Sequence, residues 1–156
     1  MKTYLTFLMS LCLVLESHAR LTMGLDYNEQ NNKATLVVIA TPTKIAETSE
    51  LTALPNIETV HNDGTKEKVM GKGVETSFEV LTVLKGEPST KTLVLHHFTP
   101  AKPELMDNSP MLVSFEPKDK KRYLMFLQKE ADGRYVAVCG QTDPAYSIKE
   151  LAENYP

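Results

Sequence analysis

Cysteine is scarce in this chain: 156 residues contain two, Cys12 and Cys139. That excludes the disulfide framework by which small exported domains often compensate for a poor core, so packing must hold the fold together. Charge of one sign is also missing. Seventeen Lys and Arg stand against 20 Asp and Glu, a formal net charge of −3. Such mild acidity excludes the broad cationic surface that nucleic acid or an anionic membrane would select. No apolar run approaches the roughly 20 residues of a spanning helix; the longest, 5–15, is about half of that. With seven glycines there is no phosphate-cradling glycine loop. His-Glu-x-x-His and Gly-x-Ser-x-Gly are absent too. Asn108-Ser109-Pro110 is not a glycosylation sequon, because proline holds the third position.

What is present begins with an export signal. Lys2 supplies a positive start, and residues 5–15 are apolar apart from Thr6 and Ser10. Ser17 and Ala19 then place small residues where a signal peptidase reads them. Cleavage between Ala19 and Arg20 is expected. It leaves residues 20–156 as one domain, secreted or periplasmic, with a core large enough to fold without staples. Leu11 precedes Cys12 where a lipid-anchor signal needs a small residue, so no lipid anchor is expected. Cys139 then remains with three readings: a buried apolar residue, an intermolecular disulfide, or a reactive thiol.

Residues 20–33 are polar, with a short helix expected around 26–32. Residues 34–41 are β-branched and apolar, as in a strand buried on both faces or at a barrel seam. Pro42 weakens this strand, and residues 43–46 continue it past a bulge. Section 47–72 is the least regular. It holds Pro55 and the Asn62-Asp63-Gly64 turn, so 57–61 and 65–70 read as arms of a protruding hairpin or as a disordered insertion.

Residues 73–86 then read as one long strand. Val74, Thr76, Phe78 and Val80 share one face, and Glu75, Ser77 and Glu79 the other. At Leu81 the phase slips to Leu81 and Val83, which is what a bulge or a barrel bend produces. Residues 91–98 form the next strand. A long connection over 103–121 follows, carrying the apolar patch 111–115. Residues 122–129 and 135–139 pair across an Asp132-Gly133 turn. Asp143-Pro144 reads as an N-cap with proline at the first helical position, opening a short C-terminal helix that ends near Asn154.

The fold class is therefore all-β: a five-stranded OB-type barrel, closed or partly open, with a long loop after the first strand and a short C-terminal helix. Three groups of motifs carry a finer likeness. They are the apolar strand 34–40; Phe78-Glu79-Val80-x-x-Val83-Leu84-Lys85-Gly86 with Leu93-Val94-Leu95; and Lys121-Arg122-Tyr123-Leu124-Met125-Phe126 with Tyr135-Val136-Ala137-Val138-Cys139-Gly140. Their order resembles the netrin-like domain of tissue inhibitors of metalloproteinases, in its bacterial, exported, TIMP-like form, over 34–140. The resemblance implies an OB barrel and no inhibition. Those inhibitors chelate the protease zinc through an N-terminal Cys, and here Arg20 stands at the expected start. It also places Cys139 on the strand whose Cys pairs with an N-terminal Cys in the family; here that partner is missing. Fold alone carries no function.

Candidate chemistry is thin. His96-His97 is the best metal candidate, yet adjacent strand residues point to opposite faces. A transition-metal site would need His61, Glu104 or Asp107 from loops. The plainer reading is a surface His beside a half-buried one. A Ser114–His97–Asp107 triad can be written, but a triad is defined by geometry. The cationic run 118–122 reads as a solvated turn or as a contact for an anionic partner. The expectation is thus an exported, non-enzymatic module without cofactor. It binds an exported or cell-surface protein through the barrel rim or the 47–72 loop. The competing expectation is a small metal-binding protein or enzyme built around His96 and His97.

Overall fold

The computed structural model describes residues 25–88, 91–103, 112–140 and 147–152. The expected cleavage site at Ala19 and Arg20 lies outside them, as do Cys12, Glu104, Asp107 and Asp143-Pro144. The architecture is mostly β. Helix α1 (Tyr27–Lys33) leads into β1 (Leu36–Val60), β2 (Lys66–Lys85), β3 (Thr92–Pro100), β4 (Arg122–Lys129), β5 (Tyr135–Ala137) and β6 (Ile148–Leu151).

Helix α1 starts where the sequence places it. Asp26 accepts from the Glu29 amide and the Glu29 side chain accepts from the Asp26 amide, a reciprocal capping box. The helix lies on the outer side of β1 and β4. The Tyr27 ring sits 6.0 Å from Phe126, and Ala34, Val37 and Phe126 form a small buried cluster.

The strands form a ring of hydrogen-bonded neighbours in the order β1-β2-β3-β5-β4, closed by a β1–β4 pairing. Residues Val37 to Ala40 of β1 pair with β2 on one edge, and Leu36 to Ala40 pair with Leu127 to Tyr123 of β4 on the other. Leu36, Val37, Val38 and Ala40 are all buried. This segment is therefore the ring's seam, as its unbroken apolar run predicts. The β3–β5 contact is parallel and rests on one bridge, Leu95 with Tyr135. Phe78 is central to the main core and meets Phe115 and Tyr123 edge-on, at 5.0 and 6.4 Å between ring centroids.

The phase slip at Leu81 is a bulge. Ile39 pairs with Thr82 and Ala40 with Val80, so Leu81 has no opposite number. A second extra residue, Leu84, lies between Lys85 and Val83, opposite Val37 and Val38. Leu81, Val83 and Leu84 face outward as a result.

One expectation changes and one open reading closes. Residues 148–151 form a strand, not part of a C-terminal helix, giving six strands among the described residues instead of five. Arg122 to Met125 of β4 would otherwise leave one edge of backbone unpaired, and Leu151 to Ile148 supply antiparallel partners. The alternation buried Ile148, exposed Lys149 and exposed Glu150 suits an edge strand. Section 47–72, open between a protruding hairpin and a disordered insertion, is the hairpin: it forms the outer half of β1–β2, turning at Asn62-Asp63-Gly64. Its periodicity is hidden by two large bulges. Thr48, Ser49 and Glu50 stand against Gly73 alone, and residues 54–57 stand against Val69 alone. This arm has its own small core of Leu54, Ile57, Val69 and Phe98, with Leu112 packed against it.

Candidate functional site

The polar centre of the molecule lies where the arm meets the ring. His96, on β3, is cross-strand neighbour to Glu75 on β2. Its side chain is 3 % exposed and is held between two carboxylates. Nε2 lies 2.9 Å from Glu50 Oε2, and Nδ1 lies 3.0 Å from Glu130 Oε2. An ionised carboxylate only accepts hydrogen bonds, so satisfying both requires an N–H on each ring nitrogen. The Phe98 ring stands 5.0 Å away and helps to exclude water.

Three elements bring these groups together. Glu130 follows β4, just before the turn at Asp132-Gly133. Arg134, on the far side of that turn, ties it down. Its Nη1 donates to Glu75 at 3.1 Å, and its Nε donates to Asp132 at 2.7 Å and lies 3.8 Å from Glu130. A hydrogen bond from the Arg134 amide, opposed by burial and reinforced by the guanidinium, holds the Asp132 carboxyl below its ordinary value. Glu50 arrives from the three-residue bulge of β1. That bulge folds over Gly73, where a Cβ would lie 2.4 Å from Thr48 Oγ1 and 2.9 Å from the Glu50 Cβ. Only a residue without a side chain lets the bulge sit low enough for Glu50 to reach His96. Gly71 plays the same part for the arm's core, since a Cβ there would lie 2.5 Å from Leu54 Cδ2.

His97 points the other way, into the main core, as strand alternation predicts. Its Nε2 lies 2.8 Å from Thr76 Oγ1, and the Phe115 ring meets it edge-on at 5.3 Å. Burial, reinforced by the neighbouring charge of His96, pushes the imidazole down from 6.5 to about 4. Nδ1 has no hydrogen-bond partner among the described residues. A buried lone pair costs less than a buried orphan N–H, so the favoured tautomer has Nε2–H donating to Thr76. The reading of a surface His beside a half-buried one is overturned: side-chain packing buries both.

The other sequence candidates do not converge. His61 lies at the hairpin turn, 3.2 Å from Glu67. Ser114 is exposed while His97 is engaged by Thr76, so the proposed triad is not assembled. Among the described residues no group of three or more His, Cys, Asp or Glu is arranged to hold a metal ion. Cys139 is buried, and its amide donates to Ser147 Oγ at 2.6 Å. That agrees with the packing reading of this residue. In the run 118–122, Lys118 and Lys120 lie at an exposed 3-10 turn and Lys121 pairs with Glu150 at 3.1 Å. Glu50 and Glu130 were not legible as partners of His96, nor Glu75 and Arg134 as the pair beside them. Only the Gly71-Lys72-Gly73 spacing hints that something packs closely on β2.

No helix among the described residues is long and apolar enough to cross a membrane. No family model and no curated protein matches the chain.

Proposed function

We propose that the chain is an exported, non-enzymatic binding module that engages another exported or cell-surface protein through the β1–β2 arm. The observation that carries this reading is the ordering of the arm. It extends beyond the ring on a small core of its own, yet leaves Leu51 and Val60 60 % and 63 % exposed. Among the described residues, β1 has its second neighbour, β4, over Leu36 to Ala40 alone, and β2 has its second neighbour, β3, over Gly71 to Glu79 alone. Beyond those limits the arm presents strand edges, which proteins use to add a partner's strand. A surface that is ordered before binding loses little entropy on binding.

The finer reading is an OB-type barrel of the TIMP-like kind. Closure of the ring through β1 and β4 supports it, as do the Phe78-to-Gly86 motif on β2 and the position of Cys139 just after β5. The signal-like sequence pattern over 1–19 supports the exported location. On this reading the protein inhibits no metalloprotease, since Arg20 stands where the zinc-chelating Cys is required.

The test is affinity capture from the exported fraction, followed by direct binding of the purified partner. The Leu51→Asp, Val60→Asp double variant should keep the wild-type melt and lose at least about tenfold in affinity, the equivalent of one central apolar anchor. Equal binding by the variant, or no specific partner for the wild type, rejects the arm as the binding surface. Inhibition in a metalloprotease assay would overturn the non-inhibitory reading.

A further inference from the structure

The bond between the arm and the ring is built so that one proton decides whether it holds. His96 serves two masters, Glu50 on the arm's bulge and Glu130 beside the β4–β5 turn. A neutral imidazole has a single N–H, so one of the two carboxylates must then face a lone pair. The two are not equally free to leave. Glu130 is 16 % exposed and has Arg134 beside it. Glu50 is 37 % exposed, and its side chain has His96 as its partner. Water can take over the half-exposed Glu50 carboxylate at little cost, whereas the more buried Glu130 carboxylate would be left with the Arg134 guanidinium at 3.8 Å in place of a hydrogen bond. Glu50 therefore lets go, and the bulge Thr48 to Glu50 loses its side-chain anchor to β3.

We propose that His96 is a proton-operated latch: charged, it clamps the Thr48–Glu50 bulge to the ring, and neutral, it releases the root of the arm. The other charges around it do not replace the clamp. Glu75 from β2 is taken by Arg134, as is Asp132 from the turn, and His97 on the same strand is turned into the core. Lys72 and Glu47 pair with each other across the arm. The small core of Leu54, Ile57, Val69 and Phe98 stays in place, so the release is local, confined to residues 48–53. The latch matters biologically only if the arm is the working surface, yet it is read in the free protein. Failure to find a partner and failure to unlatch are therefore separate outcomes.

The experiment is hydrogen exchange on the full domain, corrected for the intrinsic effect of pH. It spans the interval in which an imidazole changes charge, about pH 5 to 8. The His96 ring nitrogens are followed by NMR in parallel. Protection of the peptide covering 48–53 should fall about tenfold as His96 loses its proton, the loss of one charge-assisted hydrogen bond. Ring peptides covering 36–40 and 123–127 should not change. In Glu50→Gln the side-chain amide can donate or accept, so protection should stay high and flat. In Glu50→Ala it should be low throughout. Flat wild-type protection while His96 titrates, a His96 that does not titrate, or a fall in Glu50→Gln equal to the wild type would each overturn the latch.

Discussion

His97 makes the stability of this protein depend on pH in a way that can be isolated. In the fold its imidazole titrates at about 4, whereas in an unfolded chain it has the ordinary 6.5. Between those values the unfolded state binds a proton that the folded state refuses. Stability therefore rises with pH across this window: the contribution is fully present above 6.5 and is lost as pH falls toward 4. Each unit within the window is worth about 1.4 kcal/mol. Acidifying from about pH 8 to about pH 5 should then cost roughly 2 kcal/mol from this residue alone, with a limit near 3 kcal/mol below pH 4. Other groups titrate over the same range, so the measurement must be a difference. Urea unfolding of the wild type and of His97→Gln, at several pH values, supplies it. Gln does not titrate but can still reach Thr76, so its packing defect is a constant offset. The wild type should lose about 2 kcal/mol relative to the variant, roughly a 1 M shift in midpoint at typical urea slopes. A difference that stays flat, or that has the opposite sign, would show that His97 is charged in the fold, and would refute its placement against Phe115 and Thr76.

Other consequences can be checked by simpler means. Gly73→Ala should lower stability by about 1–3 kcal/mol in denaturant titration, because the new Cβ collides with the Thr48–Glu50 bulge. It should also loosen Glu50 from His96, seen as lost exchange protection at 48–53 at acidic pH; a neutral substitution would mean that the bulge is not seated on β2. Phe78→Ala empties the centre of the main core and should cost about 3–5 kcal/mol, with loss of the near-ultraviolet circular dichroism signal; a cost under about 1 kcal/mol would contradict full burial. Asp26→Ala removes the cap of α1 and should cost about 1 kcal/mol in the same titration without changing the ring.

Much of the fold was legible because its signals are local. The capping box at Asp26 and Glu29 concerns one helical turn. The alternation from Val74 to Val80 needs only a strand with one wet face. The Asp132-Gly133 and Asn62-Asp63-Gly64 turns are set by backbone preference. Even the slip at Leu81 marked a true bulge. The arm was harder to read, since bulges of three and four residues break the period that identifies a strand. The last strand misled for a different reason. Residues 148–151 have no strong preference of their own, and the unpaired edge of β4, far away in sequence, decides their conformation.

The candidate site was the least legible part. Strand alternation alone sends His96 and His97 to opposite faces, but it cannot say that both are buried. It also cannot say which charges will meet His96. Glu50 is 46 residues away and Glu130 is 34. Their approach depends on a bulge over a glycine and on a turn tied by Arg134. By itself, then, the sequence determined an all-β chain, its strands near the ring, its turns and the opposite facing of His96 and His97, because these follow from periodicity and backbone sterics. Ring closure, the ordered arm, the edge strand and the clamp around His96 were decided only by tertiary structure. Each depends on which unpaired backbone edges and buried charges come within a few ångströms of one another, and local pattern does not encode that distance.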